Sequence, residues 1–378
     1  MVYTHAVAPR ETPPFRADHV GSLLRPPELL RARESFAAGR IDPAELRGIE
    51  DDAIDAAVRM QEEVGLRSAT DGEFRRATWH MDFIYQLDGI THEAGHITVK
   101  FRNPEGEVEW TPAALHVEGK LGVSKTIFGD DFRYLTEQVT TAVPKLTIPS
   151  PSMVHYRGGK ASIDESVYPD LDSFWADLTA AYREEVRRLG ELGCTYLQLD
   201  DTSLAYLNDP HQREYIASIG GDPDRQHVEY IRHINEALAG RPEGMAVTTH
   251  TCRGNFRSSW AASGDYEFVA EALFSELEVD GFFMEWDDER SGGFAPLRFV
   301  PAGKTVVLGL VTTKRPELEA ADELKRRIEE ASRYVDVEQL CLSPQCGFSS
   351  TVEGNAVSYE DQAAKLRLVV EVADEVWG

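Results

Sequence analysis

A rhythm constrains this chain more than any single residue does. Eight short runs of strand character recur along it: "FRADHVGS", "RSATDGE", "KLTIPSPSMV", "CTYLQLDD", "GMAVTTHTC", "VDGFFMEWDD", "TVVLGLVTT" and "EQLCLSPQC". Most of the gaps between them carry helical periodicity. The stretch "SFWADLTAAYREEVRRLGELG" sets Phe174, Leu178, Tyr182, Val186 and Leu189 on one face, and Gly193 follows its end. Strands separated by helices pair in parallel, because a parallel connection needs a crossover. Eight such units predict an α/β fold of the TIM (β/α)8 barrel type, in one domain over residues 1–378. Residues 80–145 break the rhythm. There "HITVKFRNPEGEVEWTPAALHVEGK" alternates with period two around a Pro-Glu-Gly turn. It reads as a β-hairpin insertion after strand 2, placed to cover the barrel mouth.

Charge narrows the partners. With 65 acidic against 39 basic residues the net charge is −26, which repels phosphate backbones and argues against nucleic acid. The chain has no apolar run of membrane-spanning length, and its first residues lack a signal-peptide pattern, so no membrane role and a cytoplasmic location are expected. In that compartment the four cysteines, Cys194, Cys252, Cys341 and Cys346, are not expected to form disulfides.

In a barrel, side chains at the C-terminal ends of the strands face the site. Here those ends carry Gly21-Ser22, Asp71-Gly72-Glu73, Asp200-Asp201, His250 with Cys252, Glu285, Thr312-Thr313-Lys314, and Cys346. His250 and Cys252 are two apart, so they project to one face. One histidine, two cysteines and one carboxylate around a common axis make a ligand set suited to tetrahedral Zn2+. Glu285 is the first polar residue after "GFFM"; Asp287, Asp288 and Glu289 read as caps or partners of Arg290. Cys194 and Cys341 read as core residues, and His80, His92, His96 and His116 as exposed loop histidines.

The stretches "DHVGSLLRP", "TDGEF", "YLQLDD", "HTCRGN", "GFFMEWDDE" and "LSPQCGFSS" together resemble the catalytic barrel of the cobalamin-independent methionine synthase family. The resemblance runs over nearly the whole chain and is closest to short, single-barrel bacterial homologues. It implies that His250, Cys252, Glu285 and Cys346 hold a catalytic zinc. It also implies that Gly21 and Ser22 bind the carboxylate of homocysteine, while Glu73 and Asp200 bind its ammonium group. A free thiol, with a pKa near ~8.5, is mostly protonated at neutral pH, and a bound zinc removes that proton. The product would be methionine.

The methyl-donor half departs from the family. Lys314 stands nearest the place where the family has a proton-delivering histidine. Where the family has a folate-stacking aromatic, "SPSMVHYRG" offers His155 or Tyr156, and Tyr206 replaces a pterin-binding glutamate. The expected donor is thus a methyl-folate or a methylated corrinoid protein. Three alternatives stand beside this reading: alkyl transfer to another small thiol, as in coenzyme M transferases; a zinc hydrolase; and a non-enzymatic zinc or thiol-binding protein. The two cysteines weigh against the hydrolase, and ligands spread over three strands weigh against a structural zinc.

Overall fold

The computed structural model describes residues 10–93, 95 and 98–378. Six strands form one parallel sheet in sequential order: β1 (Leu146–Pro149), β2 (Tyr196–Asp201), β3 (Ala246–Thr251), β4 (Gly281–Glu285), β5 (Thr305–Val311) and β6 (Leu340–Pro344). Every one of these strands except β3, whose first residue is half-buried, is buried throughout. That burial explains why their sequences read as continuous apolar runs.

The first two candidate segments prove much shorter than the rest. Ala17 makes a single parallel bridge to Leu342 of β6, and Ser68–Ala69 pairs in parallel with Val143–Pro144, just ahead of β1. These outer segments meet through side chains as well as backbone. Ser68 donates to Asp18 at 2.8 Å, Thr70 donates to the Gly21 carbonyl at 2.6 Å, and the Leu23 amide donates to the Gly72 carbonyl at 3.1 Å. Polar residues crowd both segments, and polar side chains took over bonds that a longer ladder would have made. The fold is thus α/β with a parallel sheet.

Register decides what the site can contain. His250 lies opposite Asp200 on one side and Phe283 on the other, and Glu285 lies opposite Gly309. Alternation then puts Phe283 and Glu285 on one face of β4, with Phe283 packed deeper against Val20, Val307 and Cys341. Cys341 and Cys194 are both core residues, as read from the sequence. No helix among the described residues is long and apolar enough to cross a membrane.

Between Ala69 and Val143 the chain makes two antiparallel pairs, Val99–Asn103 with Gly106–Trp110 and Asp88–Glu93 with Ala114–Gly122. The inner pair is tied to the loop after β3, because Arg102 and Trp260 exchange backbone hydrogen bonds of 2.7 and 2.9 Å. The return of this region is pinned by the helix Leu171–Glu191, which buries all five residues of its expected face. On that helix a buried carboxylate, Glu185, accepts the Ile127 amide at 2.8 Å, while its other oxygen has no partner. Burial pushes the Glu185 pKa up to about 8. The folded chain therefore holds a proton that the unfolded chain releases, and this contribution fades as pH rises toward 8. Glu185→Gln keeps the acceptor for Ile127 without the charge. Its Tm should fall less than that of the wild type between pH 6 and pH 8.5, and parallel thermal-unfolding curves would contradict this account.

Candidate metal centre

The four expected ligands come together. One ligand atom from each of His250, Cys252, Glu285 and Cys346 lies within 4.8 Å of all the others, and all four residues are buried. Two of them end a strand: His250 the C-terminal part of β3, Glu285 the last residue of β4. Cys252 follows β3 directly, and Cys346 stands two residues beyond the end of β6. The two sulfurs are 3.5 Å apart. Two thiolates at about 2.3 Å from one tetrahedral ion would be about 3.8 Å apart, so little movement is needed.

Each ligand is also oriented. His250 Nδ1 lies 3.3 Å from the Phe283 carbonyl, which sets it as the protonated nitrogen and leaves Nε2 buried without a partner. Glu285 accepts from the Arg253 amide at 2.7 Å and from Arg290 at 2.9 Å. The Gly254 amide points at the Cys252 sulfur from 3.3 Å. The expected partners of Arg290 are in place: it also binds Asp287 at 2.8 Å and Asp288.

The electrostatics are those of a cation site. Against burial, the Cys346 thiolate, Asp200 and Glu285 hold the His250 imidazole up at about 9. A hydrogen bond from Cys252 holds the Cys346 thiol well below the usual range, and the same bond together with burial pushes Cys252 up. The sulfur pair thus shares one proton among several negative groups. A divalent cation would relieve that repulsion, and the donor set suits zinc.

Three of the ligands, His250, Cys252 and Cys346, line a cavity of about 690 Å3, counting its open mouth, together with Ser22, Glu73 and Asp200. Burial pushes the Glu73 carboxyl up to about 7 and Asp200 up to about 6. Thr147 donates to one oxygen of Glu73 at 3.0 Å, and the other has no partner. Gln198 donates to Asp200 at 2.7 Å. Gly21 lies just outside the lining, with its carbonyl held by Thr70. A Cβ on Gly347 would sit 1.9 Å from the Ser22 hydroxyl, so only glycine lets that hydroxyl lie where it does.

Several donor-side expectations change. His155 and Tyr156 do not reach the cavity: His155 is enclosed by Phe174, Trp175 and Tyr230, and the Tyr156 hydroxyl bonds Gln212 at 2.9 Å. The helical turn after β1 faces both of them into the core. Lys314 is not among the lining residues; its ammonium lies 3.6 Å from Asp287 and 3.9 Å from Glu285. His80 is half-buried and lines the cavity, stacked on Trp79 at 4.4 Å. His92 is exposed, His116 is half-buried, and His96 lies outside the described residues. The sequence reading missed the aromatic wall made by Trp79, Phe101, Trp110 and Phe256, in which Trp110 and Phe256 stack at 5.1 Å. Its one sequence signal was the aromatics of the period-two region. Tyr206, noted only as a replacement, is part of the wall too.

Known proteins share this chain's sequence and its fold. The family described as cobalamin-independent synthase, catalytic domain, matches residues 127–375. A Bacillus subtilis protein named only as uncharacterized protein YxjH is 46% identical over 365 residues, covering 96% of this chain and 95% of that one. The methionine synthase of Pyrococcus abyssi is 26% identical over 342 residues, covering 89% and 87%. A solved structure from Listeria monocytogenes, provisionally named a vitamin-B12-independent methionine synthase, superposes with a TM-score of 0.77. It is 38% identical, covering 98% of this chain and 100% of that one. With the family match running over residues 127–375 and near-full-length relatives well above 30% identity, this chain belongs to the cobalamin-independent methionine synthase family.

Proposed function

We propose that this chain is a cytoplasmic, zinc-dependent methyltransferase that methylates the thiol of homocysteine to give methionine, from a methyl-folate or a methylated corrinoid. The observation that carries this reading is that one cavity joins three members of a soft ligand quartet, His250, Cys252 and Cys346, to two buried carboxylates, Glu73 and Asp200. A site for a bare thiol needs no second anionic pair; a site for an amino-acid thiol does. We also take the row of parallel segments as a closed (β/α)8 barrel, one catalytic domain carrying the antiparallel pairs as its insertion.

Each residue has a task that its surroundings suit. His250, Cys252, Glu285 and Cys346 would hold the ion. Bound zinc would supply the positive charge that keeps a substrate sulfur deprotonated at neutral pH. Glu73 and Asp200 offer the substrate ammonium group two acceptors in a buried setting, where charged hydrogen bonds are strongest. The Ser22 hydroxyl and the backbone at Gly21 suit its carboxylate. The substrate's sulfur–carbon bond forms as the donor's methyl bond breaks, and the aromatic wall excludes water from that step. Lys314, next to Asp287 and Glu285, is better read as their charge partner than as the acid that protonates the leaving group.

Metal analysis should give about one zinc per chain, and Cys346→Ser should lose it; full zinc in that variant would remove Cys346 from the ligand set. Homocysteine should add one sulfur to the zinc K-edge spectrum, whereas an unchanged spectrum would exclude it as the acceptor and favour another thiol. Glu73→Gln should raise KM for homocysteine about tenfold or more, with zinc content unchanged. An unaltered KM would detach Glu73 from the ammonium group.

A further inference from the structure

The cavity does not end at the metal side. A second, more apolar space of about 560 Å3 adjoins it, and the two share His80, Pro112, Met153 and Arg157. An outer basin, which includes Lys100, Arg102 and His211, also reaches Arg157. Arg157 is thus common to all three spaces.

At that junction it carries an uncompensated charge. Acidic residues outnumber basic ones by 65 to 39, yet no carboxylate lies within 4.0 Å of Arg157 among the described residues. The neighbouring cations are already neutralised: Lys100 pairs with Glu107 at 2.9 Å, and Arg102 pairs with the same carboxylate at 3.8 Å. Two arginines near the metal side are engaged as well, Arg76 by Glu73 at 3.8 Å and Arg290 by three carboxylates. The Arg157 guanidinium instead lies over the rings of Tyr206 and Tyr156, at 5.4 and 5.6 Å. Those contacts are with neutral rings, so the guanidinium's charge is left without an anion.

We propose that Arg157 binds an anionic group of the methyl donor and so selects donors that carry one. This rests on the methyltransferase reading. The aromatic wall would pack the donor's apolar body, with its anionic arm at the junction of the three spaces. A glutamate carboxylate of a methyl-folate and the phosphodiester of methylcobalamin offer the same chemistry. A neutral or cationic small alkyl donor would leave Arg157 facing nothing.

The test is equilibrium binding to the zinc-loaded protein, followed by quenching of tryptophan fluorescence, since Trp79 and Trp110 line the cavity. The probes are 5-methyltetrahydrofolate and, separately, methylcobalamin, each titrated into the wild type, Arg157→Met and Arg157→Lys. For at least one probe, Arg157→Met should weaken binding tenfold or more, Arg157→Lys should restore part of it, and added salt should weaken the wild type more than the methionine variant. The probe that responds identifies the source of the anion. Equal affinity in the wild type and Arg157→Met, or no binding of either probe to the wild type, overturns the proposal. Zinc content and the homocysteine-induced change at the zinc edge are read on the same samples. Their loss in the wild type would mark failure of the methyltransferase reading instead.

Discussion

Mutual repulsion inside the ligand quartet is the constraint on which the rest of the site depends. Two sulfurs and a carboxylate held within 4.8 Å of one another beside one imidazole, all buried, gather more negative charge than the imidazole alone can offset. The surrounding shell is built to oppose it. Backbone amides of Arg253 and Gly254 face Glu285 and Cys252, Arg290 and Lys314 neutralise the acidic cluster after β4, and the Phe283 carbonyl fixes the imidazole. These groups come from the strand ends or from the loops that leave them. A parallel sheet gathers such positions on one rim, so the fold supplies the convergence and the loops supply the compensation.

The side of the cavity lined by Glu73 and Asp200 obeys the same logic with the same sign. Glu73 and Asp200 are paired with too little positive charge to be comfortable as two anions, and burial raises both. Glu73 adopts a positive φ of 62°, a conformation that costs a non-glycine residue some stability. The neighbouring bonds hold it there: Glu73 takes a hydrogen bond from Thr147, and its backbone carbonyl takes one from Arg25. Those bonds keep the carboxyl group where it lines the cavity.

What the sequence made legible follows from chemistry that tolerates few substitutes. Zinc-type ligands must be Cys, His or carboxylate at strand ends, so His250, Cys252, Glu285 and Cys346 stand out in the amino-acid sequence itself. The long strands read correctly because burial on both faces leaves an apolar run. The first two segments were harder, since polar residues such as Asp18, Ser68 and Thr70 replaced ladder bonds with side-chain bonds that have no period. The aromatic wall was invisible for a different reason. Packing aromatics are the same whether they fill a core or line a cavity, and only the fold shows that Trp110 meets Phe256, 146 residues later. His155 and Tyr156 failed for the converse reason: one helical turn decides whether a side chain faces a ligand or the interior.

The backbone exchange between Arg102 and Trp260 has a wider consequence. It ties the antiparallel region to the loop that leaves Cys252, eight residues before Trp260. One wall of the cavity is therefore carried by a segment outside the parallel sheet, anchored to it at a loop that begins beside a ligand. Substitutions in that segment would reshape the wall while leaving the four residues of the candidate metal centre in place. The four-residue cluster and the aromatic wall that faces it are thus carried by separate parts of the chain, like a tool and its interchangeable jaw.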